Sequence, residues 1–348
     1  MGLPNPAAAY RALALQVRCE AINKVEDPRA VMAASIRRIG AQIGASKGFL
    51  GPDTQLVVLP EYFLSGFPMG ESLEAWAQRG AVDPDGDEEA AVGALAAAHE
   101  VYLSANLYER DRAFPGIYFQ ASVLWGPDGR VALRYRRLHS LFAPTPHDVW
   151  TRYVDTYGLD AVFPVADTPL GRLACIASEE ILFPELSRVL ALRGAEVFLH
   201  STSEVGSVRT TPKDIARRAR SIENLAYVVS ANSAGMSGTD IPGASTDGKS
   251  QIIDFRGEPL AEAGFGESMT ANAELDIAAL RRYRARPGMG NLLARNRLDL
   301  WAAEYGRLAA VGVGQPGDTH PTERSDLMRT HTDTIARLGA AGVIVAPS

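Results

Sequence analysis

Three short stretches carry residues able to do chemistry. In LVVLPEYFLSGFP, Glu61 follows an apolar run and a proline, which places it at the end of a strand. A carboxylate there serves as a general base if apolar neighbours such as Tyr62, Phe63 and Phe67 tune it, or it simply opens a helix whose dipole favours negative charge. In RYRRLHSLF, Arg134 to Phe142, cations crowd the end of a second strand. Such a cluster is a solvated strand end, unless one guanidinium turns inward to hold a carboxylate or an oxyanion. In LACIASEEILFPELSRVLALRGAEVF, strand alternation puts Cys175 and Ala177 on one face and Ile176 and Ser178 on the other. Cys175 then fills the core. Ser178, where strand becomes turn, either caps the turn or occupies a nucleophile elbow with the Glu179 N–H close enough to bind an oxyanion.

The elements that would position these residues follow from periodicity. Tyr10 to Val17 alternates as a strand, Arg29 to Ile43 has helical spacing, and Leu56 to Leu59 is a short buried run. Glu88 to His99 is helical and Val101 to Tyr108 strand-like, after which GPDG separates two alternating runs, Gln120 to Trp125 and Val131 to Tyr135, as a hairpin. Then come a strand, Leu173 to Ala177, a helix opened by Pro184, a strand, Glu196 to Leu199, a helix, Lys213 to Glu223, and a strand, Tyr227 to Ala231. FRGE marks a second hairpin. Hairpins mixed with helical crossovers imply a mixed sheet system in an α/β layered sandwich. Residues 1–311 read as one domain, and 312–348 as an extension, a Gly/Pro-rich loop and then a helix from about Asp326 to Leu338.

Composition narrows the function classes. Of the 348 residues 46% are hydrophobic, enough for a large core, and the net charge of -6 without a basic stripe argues against a nucleic-acid partner. Two cysteines, Cys19 and Cys175, cannot build a disulfide framework or a metal cluster, which suits a reducing, cytoplasmic setting. The N-terminus has no secretory-signal pattern and no window is apolar enough to span a membrane.

Taken together, LPEYFLSGFP, YRRLHSLF after the GPDG hairpin, SEEILFPELSRVLALRGAEVF, RARSIENLAYVVSANSAG and GKSQIIDFRGEPLAEAG resemble, in order, the nitrilase superfamily of carbon-nitrogen hydrolases. The likeness runs from about Tyr10 to Leu275. It implies a four-layer αββα sandwich, a homodimer or higher homo-oligomer, no metal or organic cofactor, and a small amide, nitrile or carbamoyl compound as ligand.

The resemblance also implies a Glu, Lys, Cys triad, and here the sequence departs from it. Glu61 matches the glutamate. Arg137 stands at the lysine position of Tyr135-Arg136-Arg137-Leu138-His139, and Ser178 at the cysteine position of the segment ending Phe183-Pro184-Glu185. A further glutamate that supports catalysis in many members would fall near Thr145, but the first acid there is Asp148. Serine needs a well-aligned base where a thiolate does not. Arg137 retains the charge but cannot shuttle a proton, and its planar head favours a bidentate pair with Glu61. An introduced Cys-to-Ser replacement accounts for Ser178 but not Arg137; altered chemistry, or a non-catalytic binding or oligomeric partner protein, accounts for both. In the active version Glu61 is the base, Ser178 attacks, and Arg137 with the Glu179 N–H stabilises the negative charge. His139 positions Arg137, and His147 lies in a loop that lines the pocket or is plain surface. Specificity is expected from the segments Phe67 to Gly86, Phe142 to Leu159 and Val205 to Pro212.

Overall fold

The computed structural model describes residues 9–314, 316 and 320–345. Two six-stranded sheets form its centre. The first runs, in spatial order, Asn272–Leu275, Tyr10–Ala14, Thr54–Val58, Tyr102–Arg110, Tyr118–Trp125 and Val131–Arg136. The second runs Pro259–Glu262, Gln251–Ile253, Tyr227–Ala231, Val197–Ser201, Gly171–Ala177 and Ala166–Thr168. Each has three parallel strands at its middle and antiparallel strands outside them.

Alternation of side chains explains the four layers. Along the first strand Ala12 and Ala14 join Leu56, Val58, Ala174 and Ile176 in the core between the sheets. Leu13 points the other way, into a core with Val57, Leu103 and residues Met32, Ile36, Ile39 and Ile43 of the helix Pro28–Leu50. The helices Pro184–Leu192, Pro212–Asn224 and Ile277–Ala285 cover the far side of the second sheet through Leu186, Leu190, Ala216, Ile277 and Leu280. The expected αββα sandwich is the observed one.

Most expected elements fall within a few residues of the observed bounds. The strand expected to reach Val17 ends at Ala14, because Gln16 leaves the ladder for an isolated bridge to Ser268 while its side-chain amide donates to the Gly264 and Gly266 carbonyls. Two of the segments expected to be specificity loops contain helices, Leu73–Arg79 and Trp150–Tyr157. The terminal helix spans Arg324–Ala340, and another, Leu298–Ala310, precedes it. No helix among the described residues is long and apolar enough to cross a membrane.

Candidate active site

The site lies where the carboxyl ends of parallel strands from both sheets meet, the usual place for ligands in open α/β sheets. Glu61 follows Thr54–Val58 by three residues, and its N–H donates to the carbonyl of Thr202, just past Val197–Ser201. The Ser201 hydroxyl returns a hydrogen bond to the Leu59 carbonyl at 2.8 Å, so the two strand ends are laced together.

Arg137 is delivered by alternation on the last strand of the first sheet. Arg134 and Arg136 point to one side, where both pair with buried Glu109, and Arg136 lies over the rings of Phe119 and Tyr157. Tyr135 and Arg137 point to the other. Arg137 is buried, and its guanidinium is shared among four acceptors: Nε on the His139 carbonyl at 2.6 Å, Nη1 on Gln120 Oε1 at 2.5 Å and on Glu61 Oε1 at 3.2 Å, and Nη2 on Glu179 Oε1 at 2.5 Å. The expected bidentate pairing with Glu61 is thus replaced by a single contact, because Gln120, Glu179 and His139 take the other donors. Burial works against this charge, but Glu61, with Tyr62, Glu179 and Glu180, outweighs it and holds the guanidinium above its ordinary pKa.

Ser178 ends the strand Gly171–Ala177 with a positive φ of 50°, a left-handed conformation that costs a non-glycine residue roughly 1–2 kcal/mol. The turn is held on both sides. The Ser178 carbonyl accepts from His200 Nε2 at 2.8 Å, so Nε2 carries the ring proton and Nδ1 accepts from the Ser230 hydroxyl at 2.8 Å. Glu180, fully buried, accepts from the Ala177 N–H and ties the turn to the Arg137 strand through Tyr135 Oη at 2.7 Å, Leu138 N at 2.8 Å and His139 N at 3.1 Å. The elbow and the inward arginine are therefore fixed to each other by one carboxylate.

Burial, with Arg217 adding its charge, pushes His200 far below the ordinary value of 6.5. The unfolded chain takes up a proton there that the native one refuses, so stability is lost as pH falls below about 6.5. Replacing His200 by Asn is expected to flatten the pH dependence of unfolding free energy between about pH 6.5 and 5, by up to ~1.4 kcal/mol per pH unit. Urea titrations across that range check it, and an unchanged slope removes His200 as the cause.

The His139 carbonyl accepts from Arg137 Nε, while its ring stacks on Phe183 with centroids 4.0 Å apart. Tyr62, next to Glu61, has a positive φ of 61° and stacks on Tyr108 with ring centroids 5.5 Å apart. His147 sits on the turn Pro146–Val149, its Nε2 3.2 Å from the Gly314 carbonyl, rather than among the groups around Arg137. Asp148 caps that same turn by accepting from Thr145 N at 2.8 Å and Thr145 Oγ1 at 2.7 Å.

Two residues escaped the sequence reading. Gln120 donates to Glu61 Oε1 at 2.6 Å and to Asn106 Oδ1 at 2.8 Å, and so orients the carboxylate. Lys213, in the first turn of Pro212–Asn224, brings Nζ to 3.2 Å from Ser178 Oγ and 3.3 Å from Thr202 Oγ1. Burial lowers its pKa, Arg217 and Arg137 add to that, and Glu61 and Glu204 oppose it. A cation in a helix's first turn runs against the dipole, and that oddity is the one sequence signal it offered.

With this geometry in hand, comparison with known proteins gives the class. The sequence profile of the carbon-nitrogen hydrolases matches residues 29–285, well over half of the chain, which therefore belongs to that family. A formamidase of Pseudomonas syringae pv. tomato is 27% identical over 241 residues, 69% of this chain and 65% of the relative, so the match spans just under two thirds of that enzyme. A nitrilase of Pyrococcus abyssi is 29% identical over 234 residues, 66% of this chain and 80% of its own. Among solved structures, a carbon-nitrogen hydrolase from Helicobacter pylori G27 superposes with a TM-score of 0.65 at 21% identity, over 85% of this chain and 98% of that one.

Proposed function

We propose that the protein hydrolyses a carbon–nitrogen bond in a small amide, nitrile or carbamoyl compound through an altered site of Glu61, Arg137 and Ser178. The observation that carries this reading is the strained elbow: Ser178 is held at φ 50° by His200 and Glu180, beside a buried Arg137 that Glu61 and Glu179 both contact. Strain kept in place by its surroundings is a mark of functional positions. Ser178 Oγ attacks the carbonyl or nitrile carbon. Arg137 and the Glu179 N–H stabilise the charge that develops, and Glu61 assists the water that releases the acyl group. The formamidase and nitrilase relatives are why amides and nitriles lead the substrate panel.

The test is turnover of small amides, nitriles and carbamoyl amines by the chain and by Ser178→Ala. The alanine variant is expected to lose at least ~1000-fold in kcat. Turnover that survives Ser178→Ala refutes the reading. One observation favours a second reading, a ligand-binding or oligomeric pseudoenzyme: every nitrogen of the Arg137 guanidinium already has a protein acceptor. Equilibrium binding of an amide without turnover is its signature.

We assign the hydrolase unit to residues 1–311 and treat 312–348 as an extension, in a cytoplasmic homodimer or higher homo-oligomer. A groove of about 830 Å³ between Pro184–Leu192 and Leu298–Ala310, flanked by half-exposed Leu192 and Trp301, supports a second copy packing there.

A further inference from the structure

We propose that Lys213 is the catalytic base that takes the Ser178 hydroxyl proton, making a serine–lysine pair the working centre of the site. This rests on the reading of Ser178 as nucleophile and assigns its activation to a residue outside the Glu61, Arg137 and Ser178 set.

The geometry distinguishes the possible bases. Glu61 Oε1 is occupied by Gln120 and Arg137, and Arg137 is spread over four acceptors. A guanidinium is protonated at any workable pH and cannot accept a proton. Lys213 Nζ, in contrast, lies 3.2 Å from Ser178 Oγ, within reach for direct transfer. Its other polar partner is a hydroxyl, Thr202 Oγ1 at 3.3 Å, and among the described residues it forms no ion pair. Thr202 belongs to the strand end that meets Glu61, so Nζ is held beside Ser178 by an element other than the lysine's own helix.

The surroundings also favour the neutral amine. Lys213 sits in the first turn of its helix, where the dipole repels a cation. The helix start is fixed independently by Thr211, whose side chain caps the Asp214 N–H, so Lys213 is not needed to form it. Burial does most to favour the neutral amine; Arg217, fully buried four residues on, and Arg137 add their charge, and the carboxylates of Glu61 and Glu204 oppose them without reversing the direction. A lysine held neutral by such neighbours acts as a general base.

The step balances without a cofactor. Ser178 Oγ bonds to the acyl carbon as its proton passes to Lys213 Nζ. The carbon–nitrogen bond then breaks and the ammonium gives that proton to the leaving amine. Water, oriented by Glu61, attacks the acyl ester and loses a proton to Lys213, and the acid departs as Lys213 returns that proton to Ser178 Oγ.

A fluorophosphonate probe tests the first transfer with no substrate known: Oγ bonds to phosphorus and fluoride leaves. Labelling of Ser178 in the full chain, located by peptide mass spectrometry, is expected to rise with pH along a limb centred below the ordinary lysine value of 10.5. Lys213→Arg, which keeps the charge, and Lys213→Met, which keeps the bulk, are each expected to lose at least ~100-fold in rate and the limb with it. Glu61→Gln is expected to lose less than either. Folding of each variant is checked by thermal unfolding, and the wild-type limb stands as a readout even if a variant does not fold. A probe that labels Ser178 at near wild-type rate in folded Lys213→Arg, or a wild-type rate flat with pH, overturns Lys213 and leaves Ser178 a nucleophile. No labelling of the wild-type chain at any pH overturns both.

Discussion

Replacing Glu180 by Leu is expected to lower the unfolding free energy by about 3–5 kcal/mol, a large share of what a domain of ordinary stability holds. The carboxylate is fully buried and meets the Tyr135 hydroxyl and the N–H groups of Leu138, His139 and Ala177. An apolar side chain leaves those donors without an acceptor, and each buried orphan costs about 1–3 kcal/mol. Glu180→Gln is the milder lesion. Its amide keeps one acceptor oxygen, and if that oxygen faces Leu138 and His139, the Tyr135 hydroxyl can turn to accept from the NH2 while only the Ala177 N–H meets a donor. Denaturant midpoints should therefore fall in the order wild type, Gln, Leu. Because the same carboxylate fixes the elbow to the Arg137 strand, probe labelling of Ser178 should fall in Glu180→Gln even where the protein remains folded. A leucine variant as stable as the wild type removes Glu180 as the link between the two segments.

Glu180 also shows where sequence reasoning reaches and where it stops. Tyr227–Ala231 and the hairpin around Gly126 to Gly129 were legible because local patterning and turn chemistry specify them. The inward turn of one arginine was legible as a possibility, and alternation settles it: Arg134 and Arg136 share Glu109, so Arg137 must face the other way. Contacts between elements far apart in the chain left no such trace. Glu180 reaches strand residues more than forty positions away, Gln120 meets Glu61 from 59 positions away, and Lys213 meets Ser178 from a different helix. Each is an ordinary residue type in an ordinary local pattern, and only the assembled fold, by bringing strand ends and a covering helix together, gives it a partner. The segments Phe67 to Gly86 and Phe142 to Leu159 failed for a different reason. Their helices are seven and eight residues long, too short for a helical period to stand out from the Gly/Pro-rich turns around them.

Ser178→Cys is expected to create a thiol that iodoacetamide alkylates at least ~100-fold faster at pH 7 than either native cysteine. The comparison is internal to the chain, since Cys19 and Cys175 are fully buried and burial pushes both thiols up to about 12. At the elbow the sulfur replaces an oxygen 3.2 Å from Lys213 Nζ. A thiol of ordinary pKa, about 8.5, is only a few per cent ionised at pH 7, but one facing an amine transfers its proton to form a thiolate–ammonium pair. The two groups then titrate together, so the alkylation rate should already be near its plateau at pH 7 and change little up to pH 9. Adding Lys213→Met to Ser178→Cys should move the midpoint of the rate profile back toward the ordinary thiol value, while Glu61→Gln should leave Lys213 in place and shift it less. An introduced thiol that reacts as slowly as the native pair would show an elbow closed to reagents. One that reacts only above about pH 9, with or without Lys213, would mean that the amine does not reach the attacking atom, and the proton would then need another acceptor.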